Sequence, residues 1–342
     1  MAESSGRKEQ VRVAVDAMGG DHAPGEIVRG AVQAARDLNV AIALVGMPTA
    51  IEDELRALDV ANLPIRLVEA TQTIADGEEP AIAVMRKRNS SVAMAARLVK
   101  QGEAAATVSA GSTGATMVAA LMEIGTLPGI ERPVIGGAFL QLAPECVVVD
   151  LGANVGCQPY QLVNFAAIGT VFAQTFLGIK QPTVGLLNVG AEEGKGNDQA
   201  KEAYNLLKES GLNFIGNVEG MDIPGGKANV VLCDGFVGNI LVKFSEGLGG
   251  VIKQWLASEL SDRLSSSQLA DITDRLHRLI SPGEVTGGGP MWGVDGVACV
   301  AHGASRAPQI LNTIAQAKEA VESGFVDRLR TALAKVQKTT PA

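Results

Sequence analysis

Short apolar runs rich in β-branched residues recur along this chain, and alanine-rich stretches of helical length separate most of them. The runs lie at residues 11–15, 41–45, 65–68, 105–109, 146–150, 183–188, 213–215, 230–233 and 297–300. The stretches between them include residues 24–37, 91–100, 113–125, 160–176, 197–210 and 304–323. Neighbouring parallel strands need a crossover of about a dozen residues or more, and a helix supplies it while covering a sheet face. The alternation therefore predicts an α/β fold with a mainly parallel, Rossmann-like sheet covered on both faces, a three-layer α/β/α arrangement. With 46% hydrophobic residues but 4% aromatic, the core must be built from Val, Leu, Ile and Ala, which disfavours an all-β sandwich.

A length of 342 residues fits one large sheet with an appendage as well as it fits two domains. We expect a flexible start at residues 1–10, then a single α/β domain over 11–338. A helical hairpin inserted at 244–285 interrupts the alternation. There Leu256, Leu260 and Leu264, then Leu269, Ile272, Leu276 and Leu279, recur at helical spacing around Ser265-Ser266-Ser267. Its apolar stripe is expected to pack on the body or on a second subunit; in the alternative, a bilayer surface, the mixed charge of the polar face leaves the contact to Trp255 and the leucines. Residues 281–293, with Gly287-Gly288-Gly289-Pro290, read as a flexible loop, and residues 324–338 as a closing amphipathic helix.

The formal net charge of -8 argues against a nucleic-acid partner, because binding a phosphate backbone needs a basic face. The cluster Arg86-Lys87-Arg88 stands alone and suits a solvated loop or helix end as well as an acidic partner. Cys146, Cys157, Cys233 and Cys299 are far apart with no CxxC pair, the usage of reduced core thiols in a cytoplasmic protein. The first ten residues lack the apolar region of a signal peptide. No run approaches the roughly 18 apolar residues of a membrane span, so a soluble protein is expected.

Function in such folds collects at the carboxyl ends of strands. Six predicted strand ends carry glycine beside Asp, Asn, Ser or Thr: Asp16 to Asp21, Ala110 to Gly114, Asp150 to Asn154, Asn188 to Asp198, Gly216 to Gly220 and Asp234 to Asn239. One such end is ordinary turn chemistry, whereas six on the same edge of a sheet would form a cleft. A seventh polar turn, at His302 and Gly303, follows the last strand.

Several chemistries are disfavoured. The chain has three histidines, and Ser112 lacks the GxSxG spacing because Ala110 stands two residues before it. Cys157 follows Asn154 in a loop, but no residue near it in sequence would lower its pKa. His22 and His302 have no metal-ligand spacing, and Asp16, Asp21 and Asp150 suit helix caps and loop-amide acceptors better than a cation site, so no metal is expected. A GxGxxG turn does not follow Val15, which disfavours a dinucleotide cofactor.

What remains is a set suited to anions. Lys195 sits among Gly194, Gly196 and Asn197 before a predicted helix start, where free N–H groups and a cation converge. The bland alternative, a solvated loop lysine, weighs equally. Asn239 belongs to the same set unless it caps the following helix, and so does His302 unless it is a core histidine bonded to a carbonyl.

These turns resemble one family. VAVDAMGGDHAP at residues 13–24, SAGSTGA at 109–115, DLGANV at 150–155, GLLNVGAEEGKGN at 185–197, FIGNVEG at 214–220, CDGFVGNILVK at 233–243 and AHGAS at 301–305 are similar to the phosphate acyltransferase (PlsX) family of bacterial phospholipid synthesis. The resemblance implies transfer of a fatty acyl group from an acyl carrier protein thioester to inorganic phosphate, giving acyl phosphate. It implies no cofactor, a homodimer, delivery of product to the membrane glycerol-3-phosphate acyltransferase PlsY, and a fold resembling the phosphate acetyltransferase and isocitrate dehydrogenase group. The protruding helical hairpin is linked in that family to dimerisation and peripheral membrane contact.

On that resemblance Lys195, Asn239 and His302 are the expected catalytic residues. Asp16, Gly19, Gly20, Asp21, His22, Ser109, Ser112, Thr113 and Asn154 would shape the cleft, and Gly111 and Gly114 would let backbone approach the ligand. Asn188, Gly190, Gly196, Asn197, Asp234 and Gly238 complete the expected substrate-binding set. Arg86, Lys87 and Arg88, or Arg263, Arg275 and Arg278, are candidate docking points for the acidic carrier. Two further readings stay open: a phosphotransacetylase acting on acyl-coenzyme A, and a non-catalytic scaffold that binds carrier protein or membrane.

Overall fold

The computed structural model describes residues 10–138, 140–280 and 287–338, apart from the side chain of residue 277. The expectations for residues 1–9 and 281–286 lie outside this range. The chain folds as two compact units. Among the described residues, one holds 10–125 with 287–290 and 294–322, and the other holds 126–138, 140–280, 291–293 and 323–338.

The first unit contains β1 (Arg12–Asp16), α1 (Gly25–Asp37), β2 (Ala41–Gly46), α2 (Pro48–Arg56), β3 (Ile65–Glu69), α3 (Pro80–Arg86), α4 (Ser91–Lys100), β4 (Ala106–Ser109) and α5 (Thr113–Glu123). It is completed by β10 (Gly288–Pro290), β11 (Val297–Ala301) and α10 (Ala307–Glu322). Its sheet runs β10-β11-β4-β1-β2-β3, parallel except for β10 against β11. Val13, Ala14 and Val15 of β1 are fully buried because that strand has neighbours on both edges and helices on both faces. Edge strand β3 is only half-buried. Ala95 and Leu98 of α4 pack on Ala14, Ala43 and Val45. Helices α1 and α10 pack together so closely that a Cβ on Gly30 would stand 2.7 Å from the Ala307 carbonyl oxygen.

The second unit contains β5 (Gly136–Ala138), β6 (Val147–Val149), α6 (Pro159–Phe176), β7 (Val184–Leu187), α7 (Asp198–Glu209), β8 (Phe214–Val218), β9 (Val230–Leu232), α8 (Gly235–Leu260), α9 (Ser266–Ile280) and α11 (Phe325–Val336). Its sheet runs β5-β6-β9-β7-β8, parallel except for β5 against β6. Helix α6 lies on β6 and β9 between α7 and α11, and Phe172, Phe176, Phe325 and Trp292 form an aromatic cluster beside it. At the base of the α8–α9 hairpin, Leu241, Val242 and Ile280 pack on a core that includes Leu140, Val148, Val218 and Val231.

Four expectations need correction. The polar strand ends do not share one sheet: those after β1, β4 and β11 belong to the first sheet, and those after β6, β7, β8 and β9 to the second. Gly216 and Asn217 lie within β8, not after it. Gly288-Gly289-Pro290 is not loop but an antiparallel edge strand, where proline's missing N–H costs no ladder bond. The first hairpin helix starts at Gly235, nine residues before the expected boundary, because Asp234 caps it there.

No helix among the described residues is long and apolar enough to cross a membrane. The leucines that marked the hairpin, Leu256, Leu260, Leu264, Leu269 and Leu276, are half-buried, whereas Phe236, Ile240, Phe244, Leu248, Val251 and Trp255 form an exposed stripe along α8.

Candidate active site

In the second unit, β7 delivers the chain into the turn that carries Lys195. Asn188 organises this turn: its Oδ1 accepts the Val189 N–H at 2.8 Å, and its Nδ2 donates to the Lys195 carbonyl at 3.0 Å. Gly196 has φ of 96°, and a Cβ there would stand 2.6 Å from Asn188 Oδ1, so only glycine closes the turn this tightly. Gly190 faces the Lys195 side-chain stem, 3.1 Å from its Cγ to a Cβ built on the glycine. Asn197 then caps α7, accepting the Ala200 N–H at 2.9 Å. Lys195 is exposed, and no carboxylate among the described residues pairs with its ammonium, whereas Lys208 nearby is bound to Glu193 at 2.9 Å.

Helix α8 brings the second group. The Asp234 carboxylate accepts the Val237 N–H at 2.9 Å and is the N-cap, so Asn239 is freed from that role. Asn239 is exposed one turn into the helix, with its Oδ1 3.5 Å from a Cβ built on Gly152. The first turn of α8 lies directly on the Asp150–Asn154 loop. A Cβ on Gly235 would stand 2.8 Å from the Asn154 nitrogen, and one on Gly238 would overlap the Asp150 carbonyl oxygen.

That loop is built around one buried carboxylate. Asp150 accepts the N–H groups of Gly152 (3.1 Å), Ala153 (3.0 Å) and Asn154 (2.6 Å), and the Asn154 side-chain amide at 2.8 Å. Asn154 is itself buried, donating also to the Pro133 carbonyl, so it holds the loop and presents no free amide. The turn after β7 and the start of α8 line one cavity of about 370 Å³. Leu162, Leu186, Leu187 and Val237 give it an apolar wall, and Asn188, Gly196, Asn197, Gln199 and Asp234 a polar one.

Cys157 is no activated nucleophile. Burial, with Asp234 and Asp150 nearby, pushes its thiol up to about 12, and the thiol rather than the thiolate is not a useful nucleophile.

In the first unit, Asp16 is fully buried at the end of β1 and accepts the Ser109 hydroxyl at 2.7 Å and the Met18 N–H at 3.2 Å, with Ser91 and the Gly19 N–H as further donors. Burial outweighs these bonds and raises its pKa. Ser109 also takes the Gly111 N–H at 3.1 Å. Gly19 and Gly111 are pressed together, since a Cβ on Gly19 would meet both Asp16 Oδ2 (2.6 Å) and the Gly111 nitrogen (2.7 Å). Gly114 serves packing in the same way: its Cβ would stand 2.7 Å from Pro80 Cγ.

Gly20, with φ of 105°, turns the chain so that the Asp21 N–H reaches the Gly303 carbonyl at 2.9 Å. His302 thereby shares a neighbourhood with the β1–α1 loop. His302 is exposed, not a core histidine, and its Nδ1 accepts the Ala304 N–H at 3.3 Å, which places the ring proton of the neutral form on Nε2. His22 is half-buried, and Ser112 and Thr113 open α5 without a side-chain cap bond.

The candidate residues thus form two groups, one in each unit. Sequence reasoning missed Ser91, which supports Asp16, together with Gln199 in the cavity wall and Asn217 in β8. Asn217 gave one signal, a polar residue inside an apolar strand. Of the candidate docking cations, Lys87 is bound to Glu78 at 2.7 Å and Arg88 lies 3.8 Å from Glu123. No group of three or more His, Cys, Asp or Glu side chains among the described residues is placed to hold a metal ion.

Residues 11–328 match the family described as "Fatty acid synthesis protein". A protein named phosphate acyltransferase from Nostoc punctiforme is 47% identical over 330 residues, covering 94% of this chain and 96% of its own. One of the same name from Desulfitobacterium hafniense is 43% identical over 328 residues, covering 94% and 97%. Among solved structures, the EutD phosphotransacetylase from Staphylococcus aureus superposes with a TM-score of 0.58 at 19% identity, covering 92% of this chain and 94% of that one. That likeness is consistent with a three-layer α/β/α fold.

Proposed function

Because the chain belongs to the fatty acid synthesis protein family of acyltransferases, we propose that it transfers a fatty acyl group from an acyl carrier protein thioester to inorganic phosphate, giving acyl phosphate for phospholipid synthesis. The observation that carries this reading is the Lys195 ammonium, unpaired among the described residues, on a turn whose neighbouring residues line a cavity with an apolar wall. Inorganic phosphate is a mixture of monoanion and dianion at neutral pH and needs a counter-charge and N–H donors, while an acyl chain needs the apolar side.

The reaction forms a phosphate oxygen–carbonyl carbon bond and breaks the carbon–sulfur bond. The protein's task is to hold the phosphate oxygen against the carbonyl carbon and to stabilise the oxyanion that forms. The departing thiolate has a conjugate pKa of roughly 8.5 and needs little help from a general acid. A nucleophilic triad is therefore unnecessary. Lys195 and the N–H groups that open α7 hold phosphate in this proposal, and Asn239 donates its side-chain amide to phosphate or to the oxyanion. His302 offers an orienting N–H at Nε2, a role probed separately by His302→Gln.

The proposal extends to a homodimer with peripheral membrane contact through the α8–α9 hairpin and delivery of product to PlsY, supported by the exposed stripe from Phe236 to Trp255. Purified protein given acyl carrier thioester and labelled phosphate should produce hydroxylamine-sensitive acyl phosphate and free carrier thiol. Thiol release independent of phosphate, or none, would sink the proposal. Equal turnover of acyl-coenzyme A would relocate the enzyme among phosphotransacetylases.

A further inference from the structure

Strand β8 contains an irregularity whose effect falls on the Lys195 turn. Val184 pairs with Phe214 and Leu186 with Asn217, so β8 carries one residue more than β7 over the same span. The extra residue is accommodated at Gly216, with φ of 96°. Such bulges re-aim the side chain that follows them. Here that side chain is Asn217, which is 5% exposed. Its Nδ2 donates to the Glu192 carbonyl at 2.8 Å. The same carbonyl accepts the Lys195 N–H at 3.1 Å. The Asn217 Oδ1, by contrast, is buried and accepts from no donor among the described residues.

A buried amide with an orphan oxygen is costly, and an apolar residue in its place would avoid that cost. Such a residue is expected to persist where it serves a site rather than the core. The bond from Nδ2 is what it supplies. The turn from Glu192 to Lys195 is closed by the Lys195 N–H, anchored at Glu192 by Asn217, and held at its far end by Asn188 through the Lys195 carbonyl. The backbone from which the Lys195 side chain springs is thus fixed on both sides. Granted Lys195 as the counter-charge of phosphate, the reading on which this inference rests, we infer that Asn217 is a positioning residue for the reaction. It touches no substrate and sets where the Lys195 ammonium stands.

The test is steady-state thiol release as a function of phosphate and of acyl thioester. Asn217→Ala should raise the KM for phosphate by about 10- to 100-fold, the scale of a roughly 1 Å misplacement, with the thioester KM little changed. Asn217→Asp supplies a readout that a merely structural role would not move. An ionised carboxylate cannot donate to the Glu192 carbonyl, whereas a protonated one can, and burial raises the pKa of a carboxyl group. The ratio of Asn217→Asp activity to wild-type activity should therefore rise as pH falls, and it carries the test if Asn217→Ala does not fold. An unchanged phosphate KM in Asn217→Ala, or a ratio flat with pH, would overturn the inference. Lys195→Ala separates this from failure of the underlying reading: if its phosphate KM is also unchanged, the assignment of Lys195 is wrong, and if it alone rises, only Asn217 has been misread.

Discussion

Gly238→Ala should damage this protein although alanine is the better helix former. Gly238 lies in the first turn of α8, where its added methyl would overlap the Asp150 carbonyl oxygen and stand 2.9 Å from the Asp150 carbonyl carbon and 3.1 Å from Leu151 Cα. All three atoms are backbone, in a loop pinned by the buried Asp150 carboxylate, so no side chain can swing aside. Overpacking of this kind costs about 1–3 kcal/mol, and rigid backbone puts this site at the upper end. The helix gains about 1 kcal/mol on replacing glycine by alanine. The net loss is about 2 kcal/mol, or roughly 4–8 °C in Tm for a unit of this size. Gly247 in the same helix is the control, because a Cβ there meets nothing within 4 Å among the described residues. Gly247→Ala should gain up to about 1 kcal/mol. Thermal melts of the two variants decide the matter: a Gly238→Ala protein as stable as wild type, or stabilised like Gly247→Ala, would refute the packing of α8 on the Asp150 loop. The displaced helix should also carry Asn239 away and lower phosphate-dependent thiol release.

Other consequences follow from single groups. Asp150→Ala leaves the loop N–H groups without their acceptor and should cost about 3 kcal/mol or more in thermal or urea unfolding, with Asp150→Asn recovering part of it. The Glu26 carboxylate accepts the Ala307 N–H at 2.9 Å, and that bond holds its pKa below the ordinary carboxylate value. A lowered folded-state pKa adds stability above the unfolded value of 4.5, lost as pH falls through the folded value. Glu26→Gln should therefore lose stability near neutral pH, and its deficit against wild type should shrink as pH falls below 4.5 in acid titrations. Cys157, with its thiol pushed up to about 12, should resist iodoacetamide near pH 8, and Cys157→Ser should keep full acyl transfer.

The strands that build both sheets were legible because parallel strands covered on both faces read as unbroken apolar runs, as Val147–Val149 and Val230–Leu232 do. Gly136–Ala138 and Gly288–Pro290 were not, since edge strands of glycine and proline carry no apolar pattern. Short α2 and α3 start at Pro48 and Pro80 and hold too few turns for periodicity to show. The division of the strands into two sheets was equally invisible, because a run such as 105–109 announces a strand but not its partner. At the site, Lys195, its glycines and Asn197 stood out as a cation-bearing turn before a helix start. What stayed hidden was long-range support. Asp150 is a hub through backbone amides, which any residue supplies, and Asn217 reaches Glu192 only through a bulge that no local pattern announces.

The central claim is that the turn after β7 binds inorganic phosphate through Lys195. Titration calorimetry of inorganic phosphate into wild type, Lys195→Ala and Lys208→Ala tests it most directly, Lys208 being the neighbouring lysine already bound to Glu193. At about 4 Å a unit cation and a dianion gain about 2 kcal/mol in water-like surroundings, so Lys195→Ala should bind phosphate roughly 30-fold more weakly while Lys208→Ala binds it normally. Equal affinity in Lys195→Ala and wild type would contradict the account.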